Sequence, residues 1–198
     1  MNVEAKGPEN RIVAYPHWPI EAWRPEVPGR ITHLYTHWSA HHYASVFPAY
    51  HFCVAQLPRG EIIVANTHDV RENMRDVYLQ PERSYAQHTR RRNSYALGLS
   101  VMAMEGATPN DFGKYPLTDA LIEGLCVVAA RLALFHHVPI DAEHVMTHAE
   151  AALRDGYFGI EPEQRWDLAR FAASPEPLTE QEAWSAGEEL RARMRATL

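Results

Sequence analysis

The chain has 198 residues, of which 46% are hydrophobic and 22% are charged, and its formal net charge at pH 7 is -6. A chain of this length buries roughly 70% of the surface that its unfolded form exposes, so one globular domain with a core is the default expectation. The acidic balance argues against a nucleic-acid binder, which needs a basic face to neutralise phosphates.

Residues 1–29 are rich in proline and tryptophan, with the run YPHWPIEAWRPEVPG in their second half. This composition predicts an extended N-terminal arm that packs on the domain, and it disfavours a helix. The first residues lack the basic region and apolar stretch of a secretory signal, and no apolar run in the chain is long enough to span a bilayer. We therefore expect synthesis in the cytoplasm and no integral membrane segment.

Four segments have the composition of strands. Arg30–Ser39 alternates and is rich in β-branched and aromatic residues, and Tyr50–Gln56 and Ile62–Ala65 follow as two strands joined by a Pro-Arg-Gly turn. Residues 66–93 are polar and basic without a period, which predicts a long surface loop. Tyr95–Met104 then has the apolar run of a buried central strand.

Helices are predicted in the second half of the chain. Leu117–His137 has a broad apolar face, ends before a proline and contains Thr118 as a possible N-cap. A short strand is expected at Val145–Thr147. Near the end, Thr179 with Glu182 has the spacing of a capping box and predicts an amphipathic terminal helix.

This order of elements predicts an α/β domain with a central mixed β-sheet flanked by helices. We place the domain at residues 30–175 and a C-terminal helix packed on it at residues 176–198. Cys53 and Cys126 lie in apolar runs, which favours two buried thiols over a disulfide framework.

Histidine is unusually frequent, with twelve residues in the chain. His37 in THWSA, His148 in THAEAA and Asp167 in RWDL are the candidate metal ligands. A catalytic zinc site needs three nitrogen, oxygen or sulfur ligands and one open position. These three residues lack the tight spacing of HExxH, and twelve histidines offer accidental triples, so spacing alone leaves the metal site as one of several interpretations.

The motifs ITHLYTHWSA, AYHFCV with PRGEI, QHTRRRNSYALGLSV, VMTHAEAALRDGY and RWDL follow one another over roughly residues 30–170. In order and spacing this series resembles the N-acetylmuramoyl-L-alanine amidase family, which includes peptidoglycan recognition proteins and the amidase-type phage lysozyme. The resemblance implies a monomeric zinc enzyme that cuts the amide bond between N-acetylmuramic acid and L-alanine of the peptidoglycan stem peptide. The implied partner is a peptidoglycan or muropeptide substrate.

The resemblance also implies roles for the candidate metal ligands. His37 and His148 match the two zinc histidines of the family, and Asp167 is our choice for the third ligand. Other acids on the same stretch remain alternatives for that third position: Asp155, Glu161 and Glu163.

Three positions correspond to catalytic positions of the family. Tyr50 matches a tyrosine that hydrogen-bonds the developing oxyanion, and Arg154 falls near a lysine that steadies the intermediate, although it could also be a solvated charge. The glutamate that serves some members as general base corresponds to Ser100 here. Glu150 is a candidate replacement for that base, or else a residue that orients a ligand histidine.

His88 and Asn93 match family residues at the border of the cleft, and the resemblance implies that they contact substrate. The neighbouring arginines 90–92 are either a solvated surface or a region that attracts anionic cell wall. The biological setting is either an endolysin of phage type that reaches the cell wall after release, or an enzyme that acts on muropeptides in the cytoplasm. Two rival functions remain open: a peptidoglycan-binding module without activity, and a zinc peptidase that cuts within the stem.

Overall fold

The chain is organised around one sheet. The computed structural model describes residues 12–14, 30–159 and 165–198. Its strands are β1 Ile12–Ala14, β2 His33–Trp38, β3 Phe52–Gln56, β4 Ile62–Asn66, β5 Ala96–Val101 and β6 Val145–Thr147. Its helices are α1 Asp119–His136, α2 His148–Arg154 and α3 Glu180–Ala196, with a 3-10 turn at Val70–Asn73.

The six strands form a mixed sheet in the order β1-β4-β3-β5-β2-β6. The pairs β1–β4 and β3–β4 are antiparallel, whereas β3–β5, β2–β5 and β2–β6 are parallel. Parallel strands need crossovers, and α1 supplies the one between β5 and β6. The predicted α/β class, the mixed sheet and the single domain are therefore confirmed.

The predicted strands are present, but three of them are shorter than predicted. Arg30–Ser39 contains β2, Tyr50–Gln56 contains β3, and Tyr95–Met104 contains β5. Tyr95 and Met104 have φ angles of 56° and 72°, so the backbone is not extended at either end of the predicted segment. The alternation of apolar side chains in the sequence does not predict where the backbone turns in this way.

Helix α1 begins where its capping residue predicts. The Thr118 hydroxyl accepts a hydrogen bond from the Leu121 N–H, and the helix ends at His136. The next residue, His137, has the left-handed conformation common after a helix. The buried face of α1 packs on β3 and β5, and a Cβ added at Gly124 would lie 2.9 Å from Cγ1 of Val54. Neither α1 nor any other helix in the described part of the chain is long and apolar enough to cross a membrane.

The terminal helix α3 packs on α1 and α2 and buries one face, including Ala183, Leu190 and Met194. Thr179 caps it by accepting the Glu182 N–H. The reciprocal half of the predicted capping box is replaced, because the Glu182 carboxylate binds the guanidinium of Arg170.

Helix α2 was not predicted. It starts at His148, directly after β6, and its first turn is a complete capping box in which Thr147 accepts the Glu150 N–H and Glu150 accepts the Thr147 N–H. The sequence THAE contains this pattern. The box fixes the direction of the chain where the candidate ligand His148 emerges.

Of the predicted N-terminal arm, Ile12–Ala14 forms β1 and pairs with β4, and the remainder lies outside the described residues. The predicted buried thiols are present. Cys53 and Cys126 are both free, and burial raises the pKa of each to about 12, which keeps them protonated.

Candidate metal centre

Three candidate ligands meet at one edge of the sheet. In the β2–β6 pairing, Thr36 lies opposite Thr147, so the next residues, His37 and His148, emerge side by side at the carboxyl ends of two parallel strands. Asp167 approaches from the segment after the described gap, where its carbonyl oxygen accepts the Ala149 N–H. The fold thus brings together residues separated by up to 130 positions.

The three ligand atoms form a nearly equilateral triangle. Nδ1 of His37 lies 3.2 Å from Nδ1 of His148 and 3.3 Å from Oδ2 of Asp167, and the third side measures 3.1 Å. Ligand atoms held 2.0–2.1 Å from zinc in a tetrahedron lie about 3.3 Å apart. The spacing therefore fits three corners of a tetrahedral site around one metal ion.

The protonation states of two of these residues suit a metal. Burial lowers the pKa of His37 to about 4, although its hydrogen bond with Asp167 opposes this shift, so the imidazole is neutral at pH 7. Burial alone would raise the pKa of Asp167, but His148 and His37 hold that pKa well below its usual value. Neutral imidazole and ionised carboxylate are the forms that bind metals.

The triangle is buried, and its members expose 0% (His37), 4% (His148) and 6% (Asp167) of their surface. Lone pairs that converge this closely away from water repel one another unless a cation or a shared proton lies between them. Within residues 12–14, 30–159 and 165–198, this is the only group of three or more histidine, cysteine or acidic side chains with such spacing. The group could hold a metal ion.

The alternative acids for the third metal ligand are Asp155, Glu161 and Glu163, and of these the structure describes only Asp155. Asp155 is engaged elsewhere, because its two oxygens accept hydrogen bonds of 2.6 and 2.7 Å from the guanidinium of Arg92. Glu161 and Glu163 lie outside the described residues. Of the acids described, Asp167 is the one that the fold brings to the two histidines.

The metal cleft, as we call the cavity of about 370 Å³ beside the triangle, is lined by both His148 and Asp167. A ligand bound there would therefore contact two of the three candidate ligand residues. Among the residues that line it are four of the other residues discussed below: Tyr50, His88, Asn93 and Arg165.

Tyr50 lies beside His37, and the centroids of the two rings are 4.9 Å apart. Burial and the nearby Asp167 raise the pKa of its phenol well above the usual value, so the hydroxyl keeps its proton. Ser100, whose side chain opposes this rise in the pKa of Tyr50, is paired with His37 in the β2–β5 register. Ser100, which the resemblance matches to a glutamate of the amidase family, is therefore next to the candidate metal site and carries a hydroxyl.

His88 and Asn93 both border the metal cleft, but Asn93 is also occupied within its own loop. Its Oδ1 accepts the backbone N–H groups of His88 and Thr89, at 3.1 and 3.0 Å. The ring of His88 packs so closely on β5 that a Cβ added at Gly98 would lie 2.3 Å from its Cγ. Asn93 thus shapes the loop that carries His88.

The structure does not bring Arg154 or Glu150 to the cleft. Arg154 is exposed, donates to the carbonyl oxygen of Ala142 and stacks on the Trp184 ring. Glu150 is fully buried, and its oxygens accept from Arg191 at 2.9 Å each and from the Thr147 N–H. A carboxylate already bound by a guanidinium is a poor general base, so neither proposed catalytic role has geometric support.

Two residues that the sequence analysis did not single out lie at the site. Arg165 lines the metal cleft together with Asp167, whereas Arg154 does not line it. Thr89 places its hydroxyl 3.2 Å from Nε2 of His37. Thr89 follows His88 in the sequence, but nothing in the local pattern indicates a contact with a residue 52 positions away.

A second cleft, of about 630 Å³, adjoins the metal cleft, and Arg90 and Tyr157 line both. We call it the arginine cleft because the arginines 90–92 line it. Arg92 is paired with Asp155, while Arg90 stacks on the Tyr157 ring at 5.5 Å. The surface beside the candidate metal site is therefore basic in a chain that is acidic overall.

Comparison of this chain with protein-family models, with curated proteins and with solved structures gave no match.

Proposed function

We propose that this protein is a zinc-dependent hydrolase that cleaves the amide bond between N-acetylmuramic acid and L-alanine in peptidoglycan. The observation that carries the proposal is the triangle of His37, His148 and Asp167, with edges of 3.1–3.3 Å, beside an open cleft. Three protein ligands with access to a fourth position distinguish catalytic zinc sites from closed structural ones.

The choice of metal rests on the donor set. Two imidazole nitrogens and one carboxylate oxygen at tetrahedral spacing suit zinc, whereas calcium takes six to eight oxygen ligands and magnesium needs an octahedron of oxygens. A zinc ion held there would supply Lewis-acid chemistry, polarising the scissile carbonyl and activating water near neutral pH.

The chain's own residues supply the remaining chemistry. The Tyr50 phenol, whose pKa is raised by burial, can donate a hydrogen bond to an oxyanion that develops beside His37. Arg165, which also lines the cleft, can add positive charge. With Ser100 at the position of the family's glutamate and Glu150 bound to Arg191, the catalysis that we propose is assisted by tyrosine and does not depend on a glutamate base.

The substrate assignment rests on the ordered motifs and on charge. The resemblance to the amidase family supports a muropeptide, and the arginine cleft offers a basic surface for the carboxylates of a stem peptide. We place the activity in an endolysin-like, bacteriolytic setting. An enzyme that recycles muropeptides would use the same site.

The first test measures metal and products together. Purified protein is expected to bind one zinc ion per chain, and digestion of purified sacculi should release peptides whose amino terminus is L-alanine, leaving lactyl carboxylates on the glycan in mass spectra. His148→Ala should lose both zinc and product. Zinc binding with cleavage inside the stem would indicate a peptidase, and tight muropeptide binding without cleavage would indicate a binding module.

A matched control separates the ligand from its surroundings. His144 is a partly exposed histidine whose Nδ1 is paired with Asp141 in the loop before β6. His144→Ala should therefore retain zinc and activity. If His148→Ala protein still released peptide, the assignment of the site would be wrong.

A further inference from the structure

The Thr89 hydroxyl lies between two buried imidazoles. Oγ1 is 3.2 Å from Nε2 of His37 and 2.9 Å from Nδ1 of His88. Thr89 exposes only 2% of its surface, and His88 only 6%. A hydroxyl in this position has one proton to donate and lone pairs to accept, so it can connect the two rings in only one direction at a time.

The metal site fixes that direction. Nδ1 of His37 points into the ligand triangle, and a nitrogen that binds a metal carries no proton. The neutral ring must then carry its proton on Nε2, where Thr89 Oγ1 can accept it. The Thr89 hydroxyl proton is then free to be donated to Nδ1 of His88 when that ring carries its own proton on Nε2.

We propose that Thr89 is a positioning residue, which holds His37 in the Nε2–H tautomer with Nδ1 directed at the metal. The inference rests on the proposed metal site and extends it to the loop that borders the cleft. Ligand histidines in zinc proteins commonly donate their second N–H to an oxygen, and removing that partner typically lowers metal affinity 10–100-fold.

The loop is built to keep the hydroxyl in place. Asn93 Oδ1 accepts the Thr89 N–H at 3.0 Å, and the Arg92 N–H donates to the Thr89 carbonyl oxygen at 3.1 Å. Gly98 leaves room for the His88 ring on the other side. Backbone and ring contacts thus hold Thr89 at both ends, while its hydroxyl is the group that reaches His37.

The experiment compares Thr89→Val, which keeps the shape of the side chain, with Thr89→Ser, which keeps its hydroxyl. Zinc affinity is measured by competition with a chromophoric chelator, and imidazole 15N shifts report the His37 tautomer in metal-free and in zinc-loaded protein. Thr89→Val should bind zinc 10–100-fold more weakly and lose the slowly exchanging Nε2–H of His37. Thr89→Ser should stay within about threefold of wild type in zinc affinity, because its hydroxyl can still accept.

Thr108→Val is the matched control, because the hydroxyl of this exposed-loop threonine bonds only within its own turn. Unchanged zinc affinity in Thr89→Val, with the His37 proton still on Nε2, would overturn the inference and leave the proposed function standing. Wild-type protein that binds no zinc would overturn both. Should Thr89→Val unfold, wild-type and Thr89→Ser spectra still decide, since zinc-loaded His37 without an Nε2–H bonded to residue 89 contradicts the proposal.

Discussion

Replacing Arg191 by methionine tests how far the terminal helix supports the metal site. The guanidinium donates hydrogen bonds of 2.9 Å to both oxygens of Glu150 and another of 2.9 Å to the carbonyl oxygen of Val145. Both side chains of the ion pair are almost fully buried, at 3% and 0% exposure. One residue of α3 therefore holds the junction between β6 and α2, where His148 emerges.

Methionine fills a similar volume but leaves the Glu150 carboxylate with one remaining donor, the Thr147 N–H. Breaking a buried ion pair by removing one partner costs about 3–5 kcal/mol, because the other charge stays buried without compensation. For a domain of this size, each kcal/mol lowers the melting temperature by about 2–4 °C. Arg191→Met should therefore unfold about 6–20 °C below wild type.

The assay is urea and thermal unfolding of metal-free protein, followed by zinc titration at a temperature where both proteins are folded. Arg193→Met is the matched control on the same helix, since Arg193 is partly exposed, at 40% of its side chain, and pairs with Glu189 at the surface. Such surface pairs contribute about 0.3–0.5 kcal/mol. We expect zinc affinity to fall in Arg191→Met alone, because the chain at His148 loses its support.

Equal losses of unfolding free energy in Arg191→Met and Arg193→Met would refute this reasoning. The double variant Glu150→Met with Arg191→Met adds a second check. Apolar replacement of a whole buried pair is often neutral or stabilising, so the double variant should recover much of the stability lost in the single one.

Three further predictions follow from the same contacts. Tyr50→Phe should lower kcat about 10²–10³-fold while leaving zinc affinity unchanged, as expected when one oxyanion donor is removed; a change in zinc affinity instead would mean that the phenol supports the ligands. Gly98→Ala should cost at least about 1–3 kcal/mol in urea unfolding, since its Cβ would lie 2.3 Å from the His88 ring, and wild-type stability would show that the ring can move aside. Burial lowers the pKa of His51 to about 3 and of His136 to about 4. The unfolded chain binds protons on these histidines at a higher pH than the folded chain does. The free energy of unfolding should therefore fall as the pH drops from about 6.5 to about 4, by up to about 1.4 kcal/mol per pH unit for each histidine. A flat profile would contradict this prediction.

The architecture was within reach of the sequence because its determinants are local. Alternating β-branched residues indicated β2, and the Thr118 cap and apolar face indicated α1 almost to the residue. Val145–Thr147 was predicted with its observed bounds. Helix α2 was missed because seven residues are too few for a helical period to show, although its capping box was present in the sequence.

The candidate site was predictable only in part, for a physical reason. His37, His148 and Asp167 were selected as residue types able to bind a metal, and the fold does bring them together. Glu150 has the chemistry of a base, but its partner Arg191 lies 41 positions away and neutralises it. Pairings across such distances depend on packing, and one sequence without its fold does not report them.

The three residues of β1 matter for more than the outline of the sheet. They pair with Ala65, Val64 and Ile63 of β4, which would otherwise be the outermost strand on that side. An uncovered strand of such apolar composition presents free N–H and C=O groups to any other extended chain. Strand β1 thus protects β4 from self-association. A protein that lost β1 would be prone to dimerise or aggregate along β4, while His37 and His148 stayed in place at the other side of the sheet.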